Sequence, residues 1–108
     1  MVLNLTELPV LEWSPKQVKA ALALTPDRVI RDYQPPVVLP QDSTMQVCGA
    51  AYHAEQTAYS WYPDAVIIQG EPIFVNEFVR LANHEKLKMA IYSPCYEDGK
   101  FVQFRKFS

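Results

Sequence analysis

The sequence predicts a single α+β domain, with a mixed or mostly antiparallel sheet of about four to five strands and two helices packed on one face. Three observations carry this expectation. The chain has 108 residues, 49% of them hydrophobic and 20% charged, which suits one packed core and not a disordered chain. Residues 13–24 and 72–85 place apolar side chains at helical spacing directly behind helix-start signals. Several later stretches read as strands, two of them joined by the dipeptide Asp98-Gly99, a strong hairpin-turn signal.

Taken in order, residues 13–24 open on Trp13-Ser14-Pro15. Ser14 suits the N-cap and Pro15 the first helical position, where its missing N–H costs nothing. Gln17 completes the spacing of a capping box, and Trp13 is placed to staple onto Val18. Thr25-Pro26 repeats the device at the head of a shorter element, in which Val29, Ile30 and Tyr33 fit a helical turn or a strand. Together these make an N-terminal helical segment, 13–33. A proline-rich crossing segment, 34–42, follows. Pro35, Pro36 and Pro40 exclude helix there, and Val37, Val38 and Leu39 argue that the segment lies on the body of the protein.

The remainder, 45–107, is the sheet-plus-helix body of a domain spanning 1–108. Residues 45–53 and 57–62 are rich in residues that favour strands and are expected to pair across a turn at Ala54-Glu55-Gln56. Residues 64–69 form a short continuous apolar run, as in a strand covered on both faces. Gly70 breaks it and Pro72 opens a helix, 72–85, whose inner stripe is Phe74, Phe78, Leu81 and Ala82 and whose outer face holds Asn76, Arg80 and Asn83. Residues 87–93 alternate with Leu87, Met89 and Ile91 inward. Pro94 is expected to end that strand, and 100–107 returns as its hairpin partner. The strand-helix-strand unit over 64–93 has the proportions of a βαβ unit, with an antiparallel return as the alternative.

Charge and composition narrow the function classes. The formal net charge is −2, spread evenly along the chain, so nucleic acid is an unlikely partner. No apolar run approaches the roughly 20 residues that span a bilayer, and no membrane partner is expected. The opening residues lack a positive n-region and a long apolar h-region, so no secretory signal is read. With two cysteines and no such signal, a reducing, cytoplasmic setting with free thiols is expected. A Cys48–Cys95 bridge stays open.

Five chemical candidates stand out in the sequence. Cys95 sits among Tyr96, Glu97 and Asp98; carboxylates oppose thiolate formation, so it reads as a small apolar side chain near a hairpin corner. His53 and Glu55, two apart on an expected strand, with His84 or Asp64 as a third, make a metal set by arithmetic only. No cofactor or metal is expected. Gln69-Gly70-Glu71-Pro72 places a glycine before a helix N-terminus, but Glu71 occupies the place of an anion. Glu85 and Lys88 have the wrong spacing for a nuclease signature. The remaining signal is aromatic: Tyr52, Tyr59, Trp61 and Tyr62, with Arg105 on a small basic edge with Lys100 and Lys106. The leading expectation is therefore a small protein-binding module, a regulator, inhibitor or accessory protein without chemistry of its own, acting through an aromatic-rich sheet surface. The alternatives are a small enzyme or ligand-binding domain using Cys95, His53 and a carboxylate in a cleft, and a homodimer that pairs through edge strand 100–107.

Overall fold

The computed structural model describes residues 1–84 and 89–107. Strand β1 (Val2–Leu5) leads through a 3-10 turn (Val10–Glu12) into α1 (Pro15–Leu22) and β2 (Ile30–Asp32). Helix α2 (Thr44–Ser60), β3 (Ala65–Ile68), α3 (Pro72–His84), β4 (Ala90–Glu97) and β5 (Lys100–Lys106) follow. The five strands form one mixed sheet in the order β2-β1-β3-β4-β5. The first four are parallel and only β5 runs antiparallel, so the sheet is more parallel than the sequence implies. No helix among the described residues is long and apolar enough to cross a membrane.

The centre of the sheet is β1 against β3, in register from Val2↔Ala65 to Leu5↔Ile68, and all eight residues are buried. Because side chains alternate across a strand, each strand feeds two cores. Leu3, Leu5, Val66, Ile68 and Ile91 pack with Val47, Ala51, Ala54 and Ala58 of α2 and Phe74, Phe78 and Ala82 of α3. Val2, Ala65 and Ile67 pack on the other side with Trp13 and Ala21 at α1. Helices α2 and α3 thus cover one face and α1 the other, so the two helices expected at 13–24 and 72–85 lie on opposite faces of the sheet. Strand β1, which pairs with β2 on one side and β3 on the other, has no counterpart among the elements expected from the sequence.

Residues 45–53 and 57–62 are not two strands. They belong to one helix, α2, which also contains the expected turn at 54–56. A complete capping box starts it: the Ser43 hydroxyl accepts from Gln46 N (3.1 Å) and Gln46 Oε1 accepts from Ser43 N (2.7 Å). The buried stripe Val47, Ala51, Ala54, Ala58 has helical spacing. These small side chains let α2 pack closely beside α3 over the sheet, and that packing outweighs the strand preference of the tyrosines. At α1, Ser14 caps as expected by accepting from Gln17 N (3.2 Å). Gln17 does not reciprocate. Its side chain turns inward, and its Oε1 accepts from the Tyr96 hydroxyl (3.1 Å).

The stretch after Thr25 resolves into a turn and then β2, so the helical segment expected over 13–33 ends at Leu22. Val38 of the crossing segment packs on the core, whereas Val37 and Leu39 are exposed. Strand β4 does not stop at Pro94. It pairs with β3 only as far as Tyr92, so Pro94 lies where one side of the strand is already unoccupied and its missing N–H is tolerated. Asp98 (φ 51°) and Gly99 (φ 76°) both take the left-handed conformation that a type I′ hairpin turn requires. A register shift then lets Phe101 and Phe104 face the same way. Their rings lie 4.8 Å apart and continue to Tyr96 and Trp13, locking the hairpin to α1. Leu87, Glu85 and Lys88 lie outside the described residues.

The amino-terminal edge of the sheet is tied by charge. The α-amino group of Met1 donates to Asp64 (2.6 Å) and pairs with Asp27 (3.1 Å), and the Thr25 hydroxyl lies within reach of both carboxylates. Burial works against the charged amine, but the hydrogen bonds to Asp64 and Asp27 outweigh it and raise its pKa. Hydrogen bonds from the amine and Thr25 hold Asp64 below its ordinary value, and those from Thr25 and the amine do the same for Asp27.

Two outcomes are expected. Phe78 is fully buried between the helices and the sheet, so Phe78→Ala should cost about 3–5 kcal/mol in urea denaturation. The Met1–Asp64–Asp27 cluster should stabilise fully between about pH 4 and pH 8. Its contribution is lost below that window as the carboxylates protonate through their lowered pKa values, and above it as the amine deprotonates through its raised one. Asp64→Asn should flatten both limbs of the pH–stability profile; unchanged limbs would show that the cluster contributes nothing.

Candidate functional site

From β1 the chain crosses to β2 on one side, and from β2 it returns past β1 to β3 on the other. The strand order therefore reverses between β1 and β3, and α1 lies on the opposite face from α2 and α3. In open α/β sheets, a crevice forms outside the carboxyl ends of the strands at such a reversal, because the adjoining loops diverge to opposite faces.

This protein has that crevice. A cleft of about 320 Å³ lies between Gln34–Val38 after β2 and Gln69–Glu71 after β3, with buried Phe74 among the residues that line it. A second hollow, about 310 Å³, runs across the ends of β1 and β2 beside Thr6, Asp32 and Tyr33. A third, about 460 Å³, extends past Leu8 toward Tyr96 on β4. Glu7 lines all three.

The loop that carries Glu7 is fixed by a buried amide. Asn4 Nδ2 donates to Leu8 O (2.9 Å) and to Asp32 Oδ1 (2.8 Å). Asn4 Oδ1 accepts from Thr6 N (3.0 Å) and Thr6 Oγ1 (2.7 Å). Trp13 Nε1 also donates to Leu8 O (3.0 Å), and Val10 N donates to Asp32 Oδ1 (3.1 Å). One side chain thus joins the end of β1, the end of β2 and the turn leading to α1. Across the cleft, Glu71 caps α3 by accepting from Phe74 N (2.8 Å), so a carboxylate already occupies the electropositive helix end, as the sequence implied. The lining offers acceptors from Glu7, Glu71, Gln34 and Gln69 beside the apolar surface of Pro35, Pro36, Val38 and Phe74. Among the described residues that line the cleft there is no lysine or arginine.

The residues singled out by sequence lie elsewhere. Cys95 is half-buried on β4, its thiol 3.9 Å from Ser93 O; Cys48 is on α2, and both thiols are free. His53 and Glu55 share α2, but His53 is exposed and Glu55 is fully buried, its Oε2 accepting from Gln56 Nε2 (2.8 Å). His84 is the last residue of α3, and Asp64 is held at the opposite sheet edge by Met1 and Thr25. Among the described residues no three of His, Cys, Asp and Glu converge as metal ligands.

The aromatic set does not lie on the sheet. Tyr52 and Tyr59 are on the outer side of α2, and the Tyr59 and Tyr62 rings are in contact, with centroids 5.8 Å apart. Trp61 turns inward: Tyr33 meets it edge-on at 5.8 Å and the Arg31 guanidinium stacks over its ring at 4.1 Å. Arg105 is exposed on β5, at the sheet edge opposite β2, so it does not join these aromatics.

Compared with models of protein families, with curated proteins and with solved structures, the chain matches none.

Asn4→Asp should destabilise the protein by about 3 kcal/mol at neutral pH, because the introduced carboxylate faces Leu8 O and Asp32 without a compensating donor. The loss should shrink as pH is lowered and the introduced carboxyl protonates, read by urea denaturation at neutral and mildly acidic pH. An equal loss at both would show that charge at this position is irrelevant.

Proposed function

We propose that this is a small-molecule-binding domain, working in the cytoplasm, whose ligand enters the crevice at the carboxyl edge of the sheet between Gln34–Val38 and Gln69–Glu71. The observation that carries the reading is the convergence of three adjoining hollows on Glu7 where the strand order reverses. The lining favours a ligand with an apolar body, set against Pro35, Pro36 and Phe74, and with hydrogen-bond donors directed at Glu7, Glu71 and the glutamines. Among the described residues no nucleophile and base come together there, which supports binding over catalysis. This replaces the Cys95 and His53 version of a cleft, since neither residue lines it.

A second reading is supported by a different surface. Tyr52, Tyr59 and Tyr62 are exposed together along α2, as an interaction site for another macromolecule would be. Here the binding module expected from sequence acts through a helix, not a sheet.

Chemical-shift mapping separates the two. The labelled protein is titrated with small aromatic amines, amides and guanidines, and with matched carboxylates and phosphates. The donors are expected to move the amide signals of Glu7, Gln34 and Gly70 and to leave α2 unmoved. Shifts caused only by the anions would contradict the ligand class, and shifts scattered over the surface would contradict the site.

A further inference from the structure

A hollow of about 530 Å³ lies against α1, larger than any of the three at the crevice and sharing no lining residue with them. Pro15, Val18 and Leu22 line it from one flank of α1, Val10 and Leu11 line it from the 3-10 turn, and Trp13 joins the two. Leu11 is 97% exposed, the most exposed of the large hydrophobic residues described. Its turn is nonetheless fixed. Glu12 N donates to Pro9 O (2.9 Å), Trp13 N to Val10 O (3.0 Å) and Val10 N to Asp32 Oδ1 (3.1 Å). A leucine with almost no contact to its own chain is thus held in place by the backbone around it.

Two cations complete the lining, Lys19 and Arg28. Among the described residues neither has an ion-pair partner. Lys19 suits the last turn of α1, where it meets the negative end of the helix. Arg28 follows Pro26-Asp27 in a turn closed by Val29 N, which donates to Asp27 Oδ1 (3.2 Å). Asp27 itself is engaged by the Met1 amine and Thr25, and Glu12 is not among the residues that line the hollow. The crevice has the opposite character, since Glu7 and Glu71 line it without a cation.

We propose that this hollow is a second binding site, one that takes a single anionic amphiphile, its alkyl chain laid along α1 beside Leu11 and its carboxylate at Lys19 and Arg28. The apolar flank from Pro15 to Leu22 covers about 10 Å of helix, which suits an extended chain better than a compact ring system. Lysine and arginine each carry an apolar stem and a charged head, so they extend an apolar wall and end it in positive charge. Unpaired cations beside an apolar surface complement an anionic head and an alkyl tail together. A second copy of this chain would set the same cations against each other. The site stands on residues of its own and does not depend on the crevice.

Titration of the intact, labelled chain with decanoate, decanol and decyltrimethylammonium, each too dilute to form micelles, tests the proposal. Decanoate is expected to move the amide signals of Leu11, Val18, Leu22 and Arg28 saturably and to leave Glu7 and Gly70 unmoved. It should bind about fivefold tighter than decanol at low salt, as two exposed charge contacts allow, and the margin should close near ~1 M salt. Leu11→Ser should leave urea denaturation unchanged, because Leu11 is already in water, yet weaken decanoate and decanol alike. Arg28 has φ 56°, which glycine favours, so Arg28→Gly should hold or raise stability while it shrinks the decanoate margin. Lys19→Gln added to Arg28→Gly should abolish that margin. No saturable shift at these amides, decyltrimethylammonium binding as tightly as decanoate, or Leu11→Ser without effect on binding would each overturn the proposal. Binding to anionic phospholipid vesicles without binding of dissolved decanoate would overturn it too, because the surface would then meet a membrane and not a single chain.

Discussion

Everything in this fold follows from burying β1 beside β3. The eight residues of four consecutive ladder positions, Val2–Leu5 and Ala65–Ile68, are all buried. A strand pair so apolar must be covered on both sides, and parallel strands must be joined by crossovers that travel over a face. The three helices are those crossovers and those covers at once. Inserting β1 between β2 and β3 forces the chain to reverse direction, so α1 falls on one face and α2 and α3 on the other. The crevice beside Glu7 is the gap this reversal leaves.

The two edges of the sheet are finished differently. At the amino edge, Met1, Asp27, Asp64 and Thr25 close on one another by charge and hydrogen bonding. At the carboxyl edge, Asn4 satisfies its own amide by organising Thr6, Leu8 and Asp32, and Glu71 satisfies the first turn of α3. This second set ties the loop after β1 to the end of β2 and caps α3, and the crevice lies beside it between Gln34–Val38 and Gln69–Glu71. Rigid supports around open space suit recognition of a ligand better than they suit packing alone. The β4–β5 hairpin adds little to that edge; its aromatic contacts with α1 fasten the last strand to the body.

What could be read from the sequence divides along physical lines. β3, α3 and the turn at Asp98-Gly99 were legible because each is specified locally: a doubly buried run, a helical stripe behind a proline, and a dipeptide suited to left-handed backbone. β1 was not, since Val2-Leu3-Asn4-Leu5 is too short to show a period and its neighbours are 28 and 63 positions away. The sequence of α2 suggests strands because Tyr52, Tyr59 and Trp61 favour them, while the residues that decide the matter are the alanines 51, 54 and 58, whose small size matters only once α3 and the sheet pack against them. The capping box of Ser43 and Gln46 was the available signal. The crevice was invisible for a deeper reason: Glu7, Gln34 and Gly70 meet only through the strand order, which no local pattern encodes. Tyr52, Tyr59, Trp61 and Tyr62, expected to share an aromatic sheet surface, belong instead to α2 and its carboxyl end, where Tyr52, Tyr59 and Tyr62 are exposed and Trp61 turns inward.

Amide hydrogen exchange in β1 tests the central role of this strand most directly, because exchange protection reports the free energy needed to open each hydrogen bond. Leu3 and Leu5 are expected to exchange as slowly as Val66 and Ile68, at rates set by global unfolding, although they lie within five residues of the chain start. Exchange of Leu3 and Leu5 orders of magnitude faster than that of Val66 and Ile68 would mean that β1 is a peripheral strand, and the reversal that builds the crevice would fall with it.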